Sequence, residues 1–320
     1  MFTLHYATEP TVLVTGGCGF IGINLGRHLV QQGYRPLAYD NLKTGSAEPA
    51  LASGYAEIAL GDILDSESLT YAARDVDAVV HLAAHTGVSE SVEDPRHDLE
   101  ANVGGTLNAL LAARDGSAEC LVLASSNAAL GSAEPPASHT VVPHPRSPYG
   151  AGKLAGEALC AAFATSYGLR TAVLRFSNVY GPHSEHKQSV VARFMTRIIA
   201  GRPLVVYGDG QQTRDFIHVD DLCRGIVATL DLARNKTPHG EVFHLGTGVE
   251  TSVSDLVELM RELFADRDVA VEHSPPRAEE VTRSYSDISC ARVELGWEPM
   301  MSLREGLAVT RDWFLAHNGT

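Results

Sequence analysis

The sequence has 320 residues, of which 44% are hydrophobic and 20% charged, and this composition excludes disordered and fibrous proteins. Its 25 Lys and Arg residues against 39 Asp and Glu residues give a net charge of −14, which leaves no basic surface for nucleic acid or an anionic membrane. The length predicts about two domains, and any bound anion must be held by a few local donors.

The cysteines and the N-terminal segment predict the cellular compartment of the protein. The five cysteines are scattered, and neither they nor the histidines have metal-ligand spacing, so we expect reduced thiols and no metal. The first ten residues lack the apolar run of a signal peptide, and no apolar run reaches the ~18 residues of a membrane span. We therefore expect a cytoplasmic protein without membrane contact.

The first 180 residues alternate short apolar runs with helical patterns. The runs lack polar alternation, which is typical of strands buried on both faces of a parallel sheet. They cover residues 12–14, 37–39, 55–60, 78–82, 121–123 and 172–174. This βαβ order predicts an α/β fold with a doubly wound parallel sheet of Rossmann type, whose ligands bind at the carboxyl ends of the strands.

The pattern changes after Gly181-Pro182. Residues 188–200 resemble a helix, 202–210 a short strand and turn, and 252–255 a capping-box start of another helix. The runs 215–219 and 241–245 look like strands that return to the sheet. We therefore predict a Rossmann domain over residues 1–175, rejoined by 215–245. The remaining residues, 176–214 and 246–320, form an interleaved C-terminal substrate-binding lobe in this prediction.

A glycine motif directly follows the first predicted strand. Gly16, Gly19 and Gly22 have the spacing that allows a tight turn, a close approach to a pyrophosphate and close packing of helix on strand. The positive end of the helix then favours a diphosphate even in an acidic protein. A purely structural glycine turn remains the alternative.

Two carboxylates end the next strands. Asp40 lies 18 residues beyond Gly22, close to the ~20 expected for a carboxylate that binds an adenosine ribose and repels a 2′-phosphate, which favours NAD over NADP. The alternative for Asp40 is a turn residue. Asp62 suits an adenine-amine acceptor, and a helix N-cap is the alternative.

Tyr149 and Lys153 are four residues apart at the start of a helical pattern, so they share one helix face. A neighbouring ammonium and a cationic nicotinamide would favour the tyrosine phenolate. Ser125 and Ser126 end the preceding strand and would reach the same edge of the sheet, where one hydroxyl could contact a substrate hydroxyl. Ordinary capping is the alternative for these serines.

Together these motifs resemble the extended short-chain dehydrogenases/reductases, and specifically the NAD-dependent nucleotide-sugar epimerase/dehydratase family, whose best-known member is UDP-glucose 4-epimerase. The resemblance spans nearly the whole chain. It rests on the motifs above and on His81-Leu82-Ala83-Ala84, Asn102-Val103-x-Gly105-Thr106, Arg175 to Pro182, Tyr207 to Gly210, Arg214 to Val219 and Leu295-Gly296-Trp297.

The resemblance implies a role for each matching residue. The catalytic residues would be Ser126, Tyr149 and Lys153. The cofactor-binding residues would be Gly16, Gly19, Phe20, Ile21, Gly22, Asp40, Asn41, Asp62, Ile63, Leu82, Ala83, Ala84, Thr86, Asn102, Tyr149 and Lys153. The substrate-binding residues would be Thr86, Ser126, Asn127, Tyr149, Asn178, Val191, Val205, Tyr207, Arg214 and Arg277, with the two arginines on the substrate diphosphate.

The sequence departs from the family pattern after Ser126. Asn127 and Ala128 stand where dehydratases have Asp-Glu and many decarboxylases have Ser-Glu, and Ala129-Leu130 replaces the common Val-Tyr. Eliminating water needs an acid and a base beyond the tyrosine, so this departure argues against dehydration.

The resemblance therefore implies NAD-dependent epimerisation of a nucleotide sugar, most often a UDP-hexose at C4, through a transient 4-keto sugar. Decarboxylation or dehydration of a nucleotide sugar is the first alternative, and a non-catalytic NAD-binding regulator is the second. In the family, helices matching residues 97–114 and 151–167 form a dimer interface, so a homodimer is expected, although internal packing explains their alanines equally well.

Overall fold

The structure is a computed structural model that describes residues 9–236, 238–276 and 281–317. Its centre is a sheet of seven strands, all paired in parallel. In spatial order from one edge, these strands are β11 (His239–Leu245), β6 (Arg170–Phe176), β5 (Cys120–Ser126), β4 (Ala78–His81), β1 (Thr11–Thr15), β2 (Arg35–Asp40) and β3 (Glu57–Leu60). The strand order reverses between β1 and β4, which is where such sheets bind ligands.

Helices cover both faces of this sheet. Within β1, Val12 and Val14 join one core cluster and Leu13 joins the other, so the strand is buried on both sides. The first cluster receives α1 (Phe20–Gln31), α2 (Ala47–Ala52), α9 (Val219–Asn235) and α11 (Ser289–Leu295). The second receives α3 (Ser66–Ala72), α6 (Gly105–Asp115) and α7 (Pro148–Tyr167). The predicted doubly wound α/β fold is confirmed.

Short helical segments connect β4 to α6 and β5 to α7. They are α4 (Val88–Glu93), α5 (Pro95–Leu99), a π-helical turn (Glu100–Gly104) and a 3-10 turn (Asn127–Ala129). These segments lie at the carboxyl ends of β4 and β5, at the same sheet edge as the glycine motif.

A smaller lobe has its own apolar core, which includes Phe194, Leu204, Leu256 and Phe314. Its helices are α8 (Val190–Ile199), α10 (Val253–Leu263) and α12 (Leu303–His317). Its strands pair two by two: β8 (Leu204–Tyr207) with β13 (Val271–Ser274), and β9 (Thr213–Arg214) with β12 (Thr251–Ser252). The expected capping box starts α10, where Ser252 and Asp255 exchange hydrogen bonds.

One of the two returning strands was predicted correctly. The run 241–245 lies in β11 and joins the main sheet beside β6. The run 215–219 was wrong in its pairing, because β10 (Phe216–His218) pairs with β7 (Asn178–Tyr180) in a separate two-stranded sheet. A three-residue strand carries too little pattern to select between partners, and the run continues directly into α9.

Among the described residues, no helix combines the length and the apolar character needed to cross a bilayer.

A buried ion pair anchors α7 to the sheet. The guanidinium of Arg175 on β6 donates from Nε to Glu157 Oε1 at 2.9 Å and from Nη2 to Glu157 Oε2 at 2.6 Å. Ser125 on β5 also donates to Glu157 Oε1, at 2.5 Å. Both charged side chains are about 5% exposed or less, so the pair is desolvated.

We expect Glu157→Gln to lower the free energy of unfolding by about 3–5 kcal/mol, because Arg175 would stay buried without its counter-charge. Denaturation in urea measures this loss. As a control, Glu258→Gln breaks an exposed pair with Arg261 and is expected to cost less than about 1 kcal/mol. Equal losses in the two variants would contradict the assigned role of the buried pair.

Candidate active site

The glycine turn brings three backbone segments into contact. Gly16 has a φ of +72°, and its N–H donates to the carbonyl of Tyr39 on β2 at 2.8 Å. A Cβ on Gly16 would lie 2.8 Å from the backbone nitrogen of Ala83, and a Cβ on Gly22 would lie 2.3 Å from the carbonyl oxygen of Gly16. Side chains are therefore excluded at Gly16 and Gly22, which leaves a cradle lined mainly by backbone.

The N-terminus of α1 opens from this cradle. Gly19 is the N-cap, and no side chain caps the helix, so the first-turn amides remain available to an anion. Phe20 is buried and Ile21 half-buried at the start of the helix. A diphosphate held by amides and a helix dipole fits this arrangement without any basic side chain.

Asp40 at the end of β2 is almost buried and supports the glycine turn. Its Oδ2 accepts from the N–H of Cys18 at 3.0 Å and its Oδ1 from the N–H of Leu42 at 2.8 Å. Asp40 is thus a turn residue in this structure, and each oxygen keeps further lone pairs for a ribose hydroxyl.

Asp62 after β3 lies close to the Asp40 loop. Its Oδ2 accepts from Asn41 Nδ2 at 2.9 Å, and its Oδ1 accepts from the N–H of Leu64, a contact that lowers the pKa of the carboxyl. The N-cap of α3 is Asp65, so the alternative of Asp62 as a helix cap was wrong. Ile63 is buried beneath this loop against Gly105.

The segment after β4 forms the opposite side of the cradle. The N–H groups of Leu82 and Ala83 donate to the carbonyl and hydroxyl oxygens of Thr15 on β1, at 3.1 and 3.3 Å. Ala84 follows, half-buried, and Thr86 is exposed. Thr86 therefore lies on the same segment that contacts the glycine turn.

Tyr149 and Lys153 lie in the first two turns of α7. Ser147 caps the helix by accepting from the N–H of Gly150 at 3.1 Å, and Pro148 occupies the first turn, so the sequence fixes the helix start. Lys153 Nζ lies 5.8 Å from the Tyr149 ring centroid and donates to the carbonyl of Ala124 on β5 at 2.9 Å.

Lys153 is buried and Tyr149 half-buried, and their pKa values move in opposite directions. Burial raises the pKa of the Tyr149 phenol to about 12, although its hydrogen bond with Ser126 lowers it in part. Burial lowers the pKa of Lys153 to about 8. In the protein without cofactor, burial therefore outweighs the expected stabilisation of the Tyr149 phenolate. A bound nicotinamide cation would be the group that brings the raised phenol pKa down.

The two serines at the end of β5 have different partners. Ser126 contacts Tyr149 and also caps the 3-10 turn, because its Oγ accepts from the N–H of Ala128 at 3.2 Å. Ser125 points to the other side and donates to Glu157. Ser126 alone thus joins the tyrosine, and the capping alternative applies to it as well.

Asn127 joins a polar cluster to which the residues directly after Ser126 contribute no acid. Asn127 Nδ2 donates to the hydroxyls of Ser177 and Ser286 at 3.1 and 2.8 Å, while its buried Oδ1 has no partner among the described residues. Ala129 and Leu130 are buried.

The residues that the resemblance assigns to the substrate on the smaller lobe are only partly brought together. Asn178 starts β7 with an exposed side chain, and its N–H donates to the carbonyl of Asp215 at 2.9 Å. Val205 and Tyr207 share the half-exposed face of β8, whereas Val191 is buried in the lobe core. This face is made of a valine and a tyrosine whose ring centroid lies 5.8 Å from the Arg193 guanidinium carbon, and such a surface suits a nucleotide base.

The two expected arginines have different outcomes. Arg214 Nη1 donates to the carbonyls of Thr213 and Val281, each at 2.7 Å, so backbone contacts orient its guanidinium. Arg277 lies outside the described residues.

Three polar groups near the site were missed by the sequence reasoning. Lys187 Nζ donates to Thr86 Oγ1 at 3.1 Å across the two lobes. Asp215 accepts four hydrogen bonds, from Thr247, Gly248 and Ser286, and so ties the strand ends together. The signal available in the sequence was the position of Asp215 beside Arg214, within the motif Arg214 to Val219.

The third missed group is Asp98, whose carboxylate is completely buried beside α7. Its spacing of four residues before Asn102 was the available signal, because it places both side chains on one helical face. Asn102 itself lies in the π-helical turn and donates to the carbonyl of His85 at 3.0 Å. Among the described side chains, no group of His, Cys, Asp or Glu could hold a metal ion.

Comparisons with known proteins agree with this geometry. A UDP-glucose 4-epimerase of Mycolicibacterium smegmatis is 36% identical over 310 residues, which cover 94% of this chain and 97% of that protein. The solved UDP-glucose 4-epimerase of Thermotoga maritima with UDP-glucose has a TM-score of 0.89 at 35% identity, covering 96% of this chain and 99% of that one. The Thermus thermophilus UDP-glucose 4-epimerase complex with NAD has a TM-score of 0.86 at 34% identity, covering 95% and 98%.

The NAD dependent epimerase/dehydratase family model matches residues 12–246, which is most of the chain. The resemblance inferred from the motifs is confirmed, and the cradle of backbone amides fits the cofactor that gives the family its name. The chain belongs to the NAD dependent epimerase/dehydratase family.

Proposed function

We propose that this enzyme inverts the C4 hydroxyl of a UDP-hexose through a transient 4-keto sugar. One observation carries the proposal. Ser126, Tyr149 and Lys153 converge at the carboxyl end of β5, while Asn127 and Ala128 beside them offer neither the acid nor the base that dehydration needs. A reversible oxidation is then the chemistry for which the site is equipped.

The chain's own residues handle the proton. The Tyr149 phenolate takes the proton of the sugar C4 hydroxyl, and the Ser126 hydroxyl donates a hydrogen bond to the same oxygen. The ammonium of Lys153, held by the carbonyl of Ala124, favours the phenolate. When the 4-keto sugar is reduced on its other face, Tyr149 returns the proton.

Bound NAD supplies the acceptor and donor of hydride at the sugar carbon. We assign the cofactor's diphosphate to the cradle of Gly16, Gly19 and Gly22 and its adenosine ribose to Asp40. We assign the other cofactor-binding residues implied by the resemblance to NAD as well. Asp40 also disfavours a 2′-phosphate by charge repulsion.

Inversion requires a firmly held nucleotide and a loosely held sugar. We assign the substrate diphosphate to Asn178 and Arg214, with Arg277 as a further donor, and the base to the half-exposed face of Val205 and Tyr207. Backbone carbonyls orient Arg214, and an oriented guanidinium suits a diphosphate. The sugar ring can then turn over without losing its anchor.

We further propose that the enzyme is a cytoplasmic homodimer. Leu107 and Leu111 on α6 and Ala151, Ala158 and Ala162 on α7 form an uncharged face with exposed or half-exposed side chains. Such a face suits packing against the same helices of a second copy. Sedimentation equilibrium of the full chain measures this, and a monomer at micromolar concentration would exclude the dimer.

The smaller lobe, over residues 176–214 and 246–320, is proposed to bind the nucleotide sugar, while residues 1–175 with 215–245 bind NAD. The separate apolar core of the smaller lobe supports this division, as does the place of β11 in the main sheet. Cross-linking with a photoreactive uridine nucleotide would label the smaller lobe if the division is correct.

The function is tested with a panel of UDP- and dTDP-hexoses, uronic acids and N-acetyl sugars, each incubated with the NAD-loaded enzyme and followed by proton NMR. We expect a mixture of C4 epimers from at least one hexose, without net consumption of NAD. Release of CO₂ or a 4-keto-6-deoxy product would instead assign decarboxylation or dehydration, and no turnover would favour the non-catalytic alternative.

We expect Gly16→Ala to weaken NAD binding by tenfold or more, about 1.4 kcal/mol, because its methyl group would enter the backbone of Ala83. Isothermal titration measures the change. Gly33→Ala is the matched control, since Gly33 has a similar φ of +76° but nothing within 4 Å of the new Cβ. A similar loss of affinity in both variants would refute the steric explanation.

We expect Tyr149→Phe to lower kcat by about 10²–10⁴-fold while the binding of NAD and nucleotide is nearly unchanged, because only the proton carrier is removed. Steady-state kinetics and nucleotide titration separate the two effects. Tyr167→Phe on the exposed end of α7 is the control. Full activity of the Tyr149 variant would remove this residue from the mechanism.

A further inference from the structure

Asp98 is a buried carboxylate that the mechanism above does not use. It lies on α5 and is 0% exposed. Its Oδ1 contacts His85 Nδ1 at 3.1 Å, and its Oδ2 has no hydrogen-bond partner among the described residues. A buried acceptor without a donor is costly, so the protein holds this oxygen in place against a free-energy penalty.

The unpartnered oxygen faces the catalytic helix. A Cβ on Gly152 would lie 3.7 Å from Asp98 Oδ2, and Gly152 directly precedes Lys153 in the first turns of α7. The negative charge raises the pKa of both Tyr149 and Lys153. Asp98 thus acts on both members of the catalytic pair without touching the reacting atoms.

His85 connects this buried charge to the cleft. It follows Ala84 in the segment after β4, and its side chain is 27% exposed. The Asn102 amide holds its backbone carbonyl, and its ring packs edge-on against His97 with centroids 4.9 Å apart. The contact with Asp98 becomes an ion pair when His85 is protonated.

We propose that Asp98 and His85 form a positioning dyad for the Tyr149–Lys153 pair. The Asp98 carboxylate keeps Lys153 an ammonium in a desolvated site, and protonation of His85 reduces the negative charge that Tyr149 experiences. This inference rests on the proposed roles of Tyr149 and Lys153. In this proposal, neither Asp98 nor His85 contacts the substrate.

Other titratable groups also face the pair, among them His81 at the end of β4, whose pKa is lowered to about 3 by burial and by the charge of Lys153. Lys153 also faces Glu157 one turn further along α7, which raises its pKa, and Lys187 from the smaller lobe, which lowers it. Tyr149 faces the Ser126 hydroxyl and Asp98. Asp98 faces His85 from the segment after β4, with His97 next to it on α5.

The first test is the pH profile of kcat for Asp98→Asn in the NAD-loaded enzyme. Removing the negative charge lowers both pKa values, so we expect the acid limb, set by Tyr149, and the alkaline limb, set by Lys153, to move to lower pH by about one unit. Asp98→Glu, which keeps the charge, is expected to restore both limbs toward their original positions. Glu100→Gln, an exposed neighbour, is the control and leaves both unchanged.

His85→Gln is expected to move the acid limb in the opposite direction. Glutamine can keep the hydrogen bond to Asp98 but carries no positive charge, so it cannot offset the charge of Asp98 and the phenolate of Tyr149 is harder to form. The double variant is expected to match Asp98→Asn, since His85 acts through Asp98.

A second measurement does not need turnover. The lysine Cε resonances of 13C-labelled protein are followed by NMR against pH, with Lys153→Met used to assign the Lys153 signal. We expect its titration midpoint to fall by about one unit in Asp98→Asn. An unchanged midpoint overturns the dyad even if epimerisation is confirmed, and a shifted midpoint supports it even if the sugar panel yields no epimer. A loss of kcat at every pH with unmoved limbs would make Asp98 merely structural.

Discussion

The ion pair between Glu157 and Arg175 determines the position of the groups to which we assign catalysis. Tyr149, Lys153 and Glu157 follow one another at four-residue spacing, so they share one face of α7. Glu157 fastens that face to β6 and β5 through three hydrogen bonds inside the protein. A rotation of the helix would break this buried contact before it could move the phenol away from Ser126. Glu157, which anchors the helix, thus lies on the same surface of α7 as Tyr149 and Lys153.

The electrostatic design follows from burial more than from net charge. The protein is acidic overall, yet the cation at its centre is desolvated enough that the pKa of Lys153 falls to about 8. Two buried carboxylates, Asp98 and Glu157, offset that loss from either side. A nearby carboxylate favours the charged form of Lys153 but disfavours the charged form of Tyr149. The carboxylates around the site therefore stabilise the ammonium at the expense of the phenolate. The amide cradle to which we assign the cofactor's diphosphate avoids this conflict, since backbone dipoles alone can hold an anion there.

Local patterns were sufficient to predict most of the fold and the order of the site. Apolar runs without alternation identified six strands of the sheet, and the glycine spacing identified the turn in which a Cβ on Gly22 would meet Gly16. The pairing of β10 with β7 was not predictable, because short strands choose partners by tertiary contacts. Asp98 and Lys187 were missed for a similar reason. Each lies in a short or irregular segment, and its importance comes from residues distant in sequence, as with Lys187 and Thr86.

The edge strand β11 has a consequence for how the chain can be made and cut. It pairs with β6, but it is synthesised only after β7, α8, β8, β9, β10 and α9. Until then, β6 is an edge strand of the growing chain, and its unpaired backbone groups can hydrogen-bond to a strand of another chain. An excised piece ending near Gly181 would keep that open edge permanently. The seven-stranded sheet is therefore one unit in space but is built from two separate parts of the chain, and only a chain that extends through Leu245 completes it.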